Sequence, residues 1–165
     1  MLNKQTQADS SLYRDAMARY AGHVQIVTTE YEGVKRGVTI TAACSVSDNP
    51  PMVLVCLNNS NDKNAVFFES GYFALNSLTP AHEALAGAFA GFGKLSAEER
   101  FALGQWQTLA TGAPVLTDAS AVFDCRVVDS KITGTHTVLF GEVAALHFGA
   151  DDNALIYLDR GFRSL

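Results

Sequence analysis

Three short stretches of this 165-residue sequence carry side chains that can do or support chemistry. The first is LNNSNDKNAVFF at 57–68, where an apolar run leaves through Asn58, Asn59 and Ser60 and passes into a helix-forming segment. The free N–H groups and positive dipole end of a helix attract an anion. Lys63, in the first turn, opposes that dipole unless an anion is present, which points to a bound phosphate. The same pattern also serves as an ordinary cap, with Asn59, Ser60 or Asn61 satisfying helix donors and Lys63 in water. The residues alone leave both readings open.

The second stretch is GVTITAACSVS at 37–47. Strand alternation puts Thr39, Thr41, Ala43 and Ser45 on one face and Ile40, Ala42, Cys44 and Val46 on the other. Small hydroxyl residues with accessible backbone donors suit the edge of a planar heteroaromatic ring, and they equally suit close packing of a sheet on another element. The third is Gly134-Thr135-His136, a turn that opens a strand, where a histidine either steers a ligand or simply meets solvent. His23, His82 and His147 have no partner pattern. Cys44 has no adjacent base to activate it and reads as an inert, buried thiol. Trp106 reads as a core or subunit contact. No P-loop, HExxH, GxSxG or strand-linked GxGxxG is present, and no metal-ligand spacing occurs.

These stretches need elements to position them. Residues 10–21 are spaced as an amphipathic helix, capped by Ser10 or Ser11 and stopped by Gly22. Val24 to Thr29 is a β-branched strand, YEGVKRG turns the chain, and VTITAACSVS continues extended. Asn49-Pro50-Pro51 breaks that strand, and MVLVCLN follows as a strand expected to be buried on both faces. A short helix ended by Gly71, the strand YFALNSL and the helix PAHEALAGAFAG come next. Ser96 with Glu99 three residues on forms a capping box. The last third, AVFDCRVVDSKI, THTVLFGEVAALHF and ALIYLDRGF, is mostly strand. With no β-α-β-α alternation, a doubly wound sheet is excluded and a barrel decorated by helices is expected.

The chain holds 12 Lys or Arg and 17 Asp or Glu, for a net charge of −5. That acidic balance argues against nucleic acid and against an anionic membrane surface as partners. No stretch is long and apolar enough to span a bilayer, and the first 15 residues lack the apolar core of a signal peptide. Three widely spaced cysteines suggest neither a disulfide framework nor a zinc site. A cytoplasmic protein with reduced thiols is expected. Charged residues make up 18 %, below the usual level of about 25 %, which leaves a compact monomer or a surface hidden in an oligomer.

Taken in order, YRDAMARYAGHVQIVTT, GVTITAACSVSDNPPMVLVCLN, FALNSL, FAG, ERFALGQWQ, GAPVL, GTHTVLFGEV and LIYLDRGF resemble the short-chain flavin reductases of the FMN-binding split-barrel fold. The likeness spans 13–162 and is nearest to the reductase components of two-component aromatic monooxygenases of the 4-hydroxyphenylacetate type. It implies one domain over 1–165, mainly β with helices: a six-stranded antiparallel Greek-key split barrel that forms a homodimer. It implies FMN or FAD as the flavin, NADH or NADPH as hydride donor, and a flavin-dependent monooxygenase as the partner receiving reduced flavin. Thr39, Ile40, Thr41, Ser45, Val46 and Ser47 carry over as the cradle of the flavin ring and ribityl chain. Asn58, Asn59, Ser60 and Lys63 carry over as the ribityl and phosphate clamp, and His136 as the residue facing the nicotinamide. Tyr157, Arg160 and Phe162 match a C-terminal segment that approaches the flavin. Many relatives have Asp before this histidine, whereas here it is Thr135. A non-catalytic flavin-binding or electron-transfer protein on the same barrel is the alternative reading. On this likeness the scarcity of charge predicts a dimer.

Overall fold

The computed structural model describes residues 7–150 and 153–165. Along the chain run α1 (Ser10–Met17), β1 (Gly22–His23), β2 (Gln25–Tyr31), β3 (Val34–Ile40), β4 (Ala43–Asp48), β5 (Pro51–Asn58), α2 (Ala65–Ser70) and β6 (Tyr72–Ser77). Then come α3 (Glu83–Phe89), α4 (Ala97–Phe101), β7 (Trp106–Gln107), β8 (Val115–Leu116), β9 (Ala121–Thr133), β10 (His136–Phe148), β11 (Leu155–Leu158) and β12 (Gly161–Ser164). The protein is thus mainly β with short helices.

Seven strands form one antiparallel sheet in the order β3-β2-β6-β9-β10-β5-β4. Its two edge strands, β3 and β4, are joined by Thr41 and Ala42 alone. Laid flat, seven strands would separate their edges by about 29 Å, whereas the chain from Ile40 to Ala43 reaches at most about 11 Å. The sheet is therefore rolled on itself. β4 pairs with β5 from Ala43↔Val55 to Asp48↔Pro51, and Cys56 N donates to Ala42 O at 2.9 Å. Beyond Cys56 this edge of β5 has no strand partner, and a seam opens there against β3.

Alternation along the strands builds two cores. Val27, Val53, Val55, Leu57, Phe73, Leu75, Cys125 and Leu139 fill the inside of the roll, with Phe67 of α2 at one end. Ile26, Ala74 and Val122 point the other way, where they pack with Leu85, Ala86 and Phe89 of α3, Phe101 of α4, and Leu116 and Leu155. Phe89, Phe101 and Trp106 stack edge to face, with ring centroids 5.0–5.8 Å apart. α3 sits directly on β3 because Gly37 has no side chain: a Cβ there would lie 2.5 Å from the Phe89 ring. The ribbon β11–β12 joins β1 in a separate three-stranded sheet, and β7 pairs with β8.

Several sequence expectations shift. The main sheet has seven strands where six are expected. The first helix ends at Met17 and is capped by Asp9, whose carboxylate accepts from Ser11 N and Leu12 N. Its apolar residues Leu12, Tyr13 and Met17 are exposed, so amphipathic spacing does not bury this helix in the chain's own core. GVTITAACSVS is two strands, because Thr41 and Ala42 carry the chain from one sheet edge to the other. MVLVCLN is buried on one face only: Val53, Val55 and Leu57 point inward, while Met52, Leu54 and Cys56 are half-covered.

Candidate functional site

The seam between β3 and β5 holds a cavity of about 380 Å³. One wall is Val38 to Ala42 and the other is Cys56, Leu57 and Asn58. The loop beyond Asn58 supplies Ser60, Asn61 and Asn64, and His136 stands at the end of β10. Two further hollows adjoin it. One, of about 450 Å³, lies under α1 and takes in Arg14, Tyr20, Cys44, Tyr157 and Arg160. The other, of about 200 Å³, is bounded by Val24, Ala90, Phe92, Tyr157 and Phe162. Thr41 borders all three, so they lie side by side around the β3–β4 crossing, and together they are called the branched groove. Together they fall in the size range of small-molecule sites.

The loop 58–64 is fixed by a chain of hydrogen bonds. Asn58 Oδ1 accepts from Ser60 N at 2.9 Å, and Asn61 Oδ1 accepts from Lys63 N at 3.2 Å, each side chain folding over its own turn. Asn59 N donates to Thr135 O at 2.9 Å. Thr137 Oγ1 donates to Asn59 Oδ1 at 2.7 Å. Behind the loop, Arg36 Nε and Nη2 donate to Asn64 Oδ1 at 3.0 and 2.9 Å, and Asn64 Nδ2 donates to Asn58 O at 3.0 Å. Asn61 is therefore the loop's capping residue; Asn59 and Ser60 are not.

His136 pairs across the ladder with Asn58, after the left-handed turn residue Gly134. Its Nδ1 lies 2.9 Å from Thr135 Oγ1, and the residue borders the seam cavity. Thr39 Oγ1 donates to Ala86 O at 2.6 Å, tying the cavity wall to α3. The C-terminal ribbon reaches the groove because Gly22 of β1 pairs with Tyr157. Gly22 also passes so close to Thr41 that a Cβ on it would lie 2.9 Å from Thr41 Cβ. Asp159 and Arg160, at the ribbon's turn, both have positive φ (51° and 57°). Such a two-residue turn suits the twist of a hairpin and strains residues other than glycine. The strain is held by Asp159 N donating to Ala18 O at 2.7 Å and Arg160 Nη2 to Asp15 Oδ1 at 2.6 Å.

Of the residues picked from sequence, Thr39, Ile40, Thr41, Asn58, Ser60 and His136 line the seam cavity. Tyr157, Arg160 and Phe162 line its neighbours. Asn59 and Lys63 belong to the loop 58–64 without bordering the cavity, and the Lys63 side chain is exposed. Ser45, Val46 and Ser47 border none of the three hollows. A register shift between Ser45 and Ser47 displaces this part of β4, and Ser45 and Val46 lie on the surface. The sequence marks Asn61 only as a candidate cap, and it does not single out Asn64 or Arg36. The asparagine-rich loop was a signal for the first two, and nothing in the pattern marks Arg36.

Burial governs the titrating groups nearby. Cys56, at the cavity wall, is raised above the usual thiol range by burial and then by Cys44. Arg36 is lowered, first by burial and second by repulsion from Arg100. The Cys56 thiol therefore borders the groove in its protonated form, whereas Cys44, expected to be buried, is exposed. Among the described residues no cluster of His, Cys, Asp or Glu is able to hold a metal ion. Among the described residues no helix is long and apolar enough to cross a membrane.

A family profile described as Flavin reductase like domain matches residues 17–165. An FMN reductase (NADH) of Variovorax paradoxus is 47 % identical over 153 residues, covering 93 % of this chain and 84 % of the relative. An FMN reductase (NADH) of Agrobacterium fabrum is 45 % identical over 100 % of this chain and 94 % of the relative. Among solved structures, the flavin reductase PheA2 superposes with TM-score 0.86 at 31 % identity, over 96 % of this chain and 99 % of that one. The flavin reductase HpaC, solved with NADP+, superposes with TM-score 0.85 at 27 % identity, over 95 % and 98 %.

Proposed function

The chain belongs to the flavin reductase-like family, and from that premise we propose that it reduces free FMN or FAD with NADH or NADPH in the branched groove and supplies the reduced flavin to a partner monooxygenase. The observation that carries this reading is the seam cavity, which joins a small-residue strand crossing, a polar asparagine loop and a fixed histidine. The names of the relatives make FMN and NADH the first pair to test. The 4-hydroxyphenylacetate-type partner rests on the sequence likeness.

The groove fits a flavin in shape and chemistry. Thr41 and Ala42 lie outside both neighbouring ladders, which supports backbone donors at the ring's polar edge. Gly22 packs on the Thr41 side chain so closely that only glycine fits there. Apolar Val38, Ile40 and Leu57 suit the ring face, while Asn58, Ser60, Asn61 and Asn64 suit the ribityl chain and phosphate. Ser45, Val46 and Ser47 keep a role only through the backbone of β4 or a partner subunit.

When bound, the flavin accepts at N5 the hydride that the nicotinamide carries at C4. The protein's part is to hold the two rings at near-attack distance, about 3–3.5 Å, and to keep water out. His136, fixed through Thr135, borders the nicotinamide. Tyr157 and Phe162, whose rings meet edge to face at 5.6 Å, close the groove on the side of the C-terminal ribbon. Backbone N–H groups at Thr41 and Ala42 would hold the ring's polar edge and would offset the negative charge it gains.

The functional unit on this reading is one domain over 1–165, in the cytoplasm, paired as a homodimer. Val128 and Ile132 on β9 and Leu146 and Phe148 on β10 are exposed, Ile132 at 76 % and Phe148 at 71 %. Apolar surface of that kind supports an interface. The reading is tested by NADH oxidation with and without FMN. Flavin-dependent turnover supports it. Tightly held flavin with no NADH oxidation points instead to an electron carrier on the same fold.

A further inference from the structure

Arg36 is buried to 8 % exposure on β3 and borders none of the hollows of the groove. Its hydrogen-bonding partner is a neutral amide, the Oδ1 of Asn64, held by two N–H groups at 3.0 and 2.9 Å. No carboxylate forms an ion pair with it among the described residues. Besides burial, repulsion from another cation, Arg100, acts on it. A buried guanidinium whose hydrogen-bond partner is an amide in place of a carboxylate is costly unless its charge has a use.

The position of Asn64 supplies one. Asn64 is itself buried and borders the seam cavity. Its Nδ2 donates to Asn58 O, which ties the two ends of the loop 58–64 together. Its N–H donates to Asn61 O at 2.9 Å. With Oδ1 occupied twice by Arg36, the amide is fixed in one orientation. The loop's width is then set by a side chain that does not touch the cavity.

We propose that Arg36 is a positioning residue for the flavin phosphate: through Asn64 it locks loop 58–64 at the width that grips the phosphate, and its uncompensated charge favours an anion there. The proposal rests on the flavin-reductase reading of the groove and adds to it a residue behind the wall. Its signature separates phosphorylated from unphosphorylated flavin. Riboflavin carries the same ring and ribityl chain as FMN and lacks the phosphate, so ring binding and hydride transfer are common to both.

The test is steady-state NADH oxidation by the full chain with FMN and with riboflavin, for wild type, Arg36→Met, Asn64→Ala and the double variant. The expected result is a rise of about tenfold in the KM for FMN in Arg36→Met, the scale of losing hydrogen bonds to a charged group. The riboflavin KM and both kcat values should stay within about twofold. In the Asn64→Ala background the Arg36→Met change should add little, because the pathway is already cut. Equal rises for FMN and riboflavin, or additive effects, overturn the proposal by making Arg36 a general stabiliser. If wild type itself binds FMN no better than riboflavin, the loop is not a phosphate clamp and the parent assignment fails instead. Arg36→Lys keeps the charge and loses one donor, and it serves if Arg36→Met does not fold. A KM ratio of FMN to riboflavin unchanged in Arg36→Lys also overturns the proposal.

Discussion

Gly37→Ala links the packing of the fold to the site. A Cβ at position 37 would lie 2.5 and 2.7 Å from two atoms of the Phe89 ring and 3.4 Å from Phe101. Ordinary carbon contacts are about 3.5–4.0 Å, so something must move by about 1 Å. Phe89 has little room, being buried and held edge to face by Phe101 and Trp106. Overpacking of this kind costs about 1–3 kcal/mol. Replacing Gly returns about 0.4–1 kcal/mol through the unfolded chain, which leaves a net loss of about 1–2 kcal/mol. For a domain of this size that lowers Tm by about 2–8 °C. The displaced element is α3, whose Ala86 O accepts the Thr39 hydroxyl. Loosening that bond should raise the KM for FMN about two- to tenfold. Thermal melting and NADH oxidation at varied FMN measure both. Combining Gly37→Ala with Phe89→Leu, which makes room, should cost less than the sum of the two single changes. A Tm within a degree of wild type, or strictly additive effects, would refute the close packing of α3 on β3.

Three other substitutions probe different links. Lys63→Ala removes an exposed cation beside the clamp loop; at a few ångströms through water each charge pair is worth about 1 kcal/mol. The KM for FMN should rise about five- to tenfold, more at low salt than at high, and unchanged FMN kinetics would remove Lys63 from the clamp. His136→Ala should lower kcat with NADH by about tenfold or more while FMN affinity, read by fluorescence quenching, changes little; the opposite pattern would move His136 from the nicotinamide to the flavin. Cys125, fully buried beside Asp124, has its thiol pushed up to about 12, first by burial and then by that carboxylate. In the unfolded chain it ionises near 9, so between those values the unfolded state binds fewer protons and stability falls as pH rises. At pH 10.5 the loss is about 2 kcal/mol. Urea unfolding of Cys125→Ala should decline less steeply from pH 8 to 10.5 than wild type, and parallel slopes would contradict the assignment.

Much of this arrangement is legible in the chain because it is locally encoded. The Ser96–Glu99 capping box forms, with Ser96 N donating to Glu99 Oε2 at 2.7 Å. Gly134 takes the left-handed turn conformation before His136, and Gly71 ends α2. The asparagine loop and the Thr39–Thr41 stretch meet at one cavity, although they lie on different strands. What is not legible depends on long-range closure. Nothing in TITAACS signals that Thr41 and Ala42 cross from one edge of a rolled sheet to the other, since alternation runs through them unbroken. For the same reason nothing in the sequence signals that Ser45, Val46 and Ser47 border none of the three hollows: the register shift in β4 is set by its pairing with β5. His82 carries no partner pattern in sequence, yet it is buried, with Nδ1 accepting from Thr79 N and Nε2 3.2 Å from Asp118. That pairing spans 36 residues and exists only once β8 and its following turn reach α3. Arg36 is hidden likewise, because a cation in a turn-and-strand segment reads as solvated until α2 covers it.

The most direct test of the central claim is the rate of NADH oxidation by the purified chain as FMN is titrated, with air excluded so that reduced flavin accumulates. The account predicts saturable oxidation dependent on added FMN, with one FMN bleached for each NADH consumed. No FMN-dependent oxidation with either NADH or NADPH, or oxidation at the same rate without flavin, would contradict it.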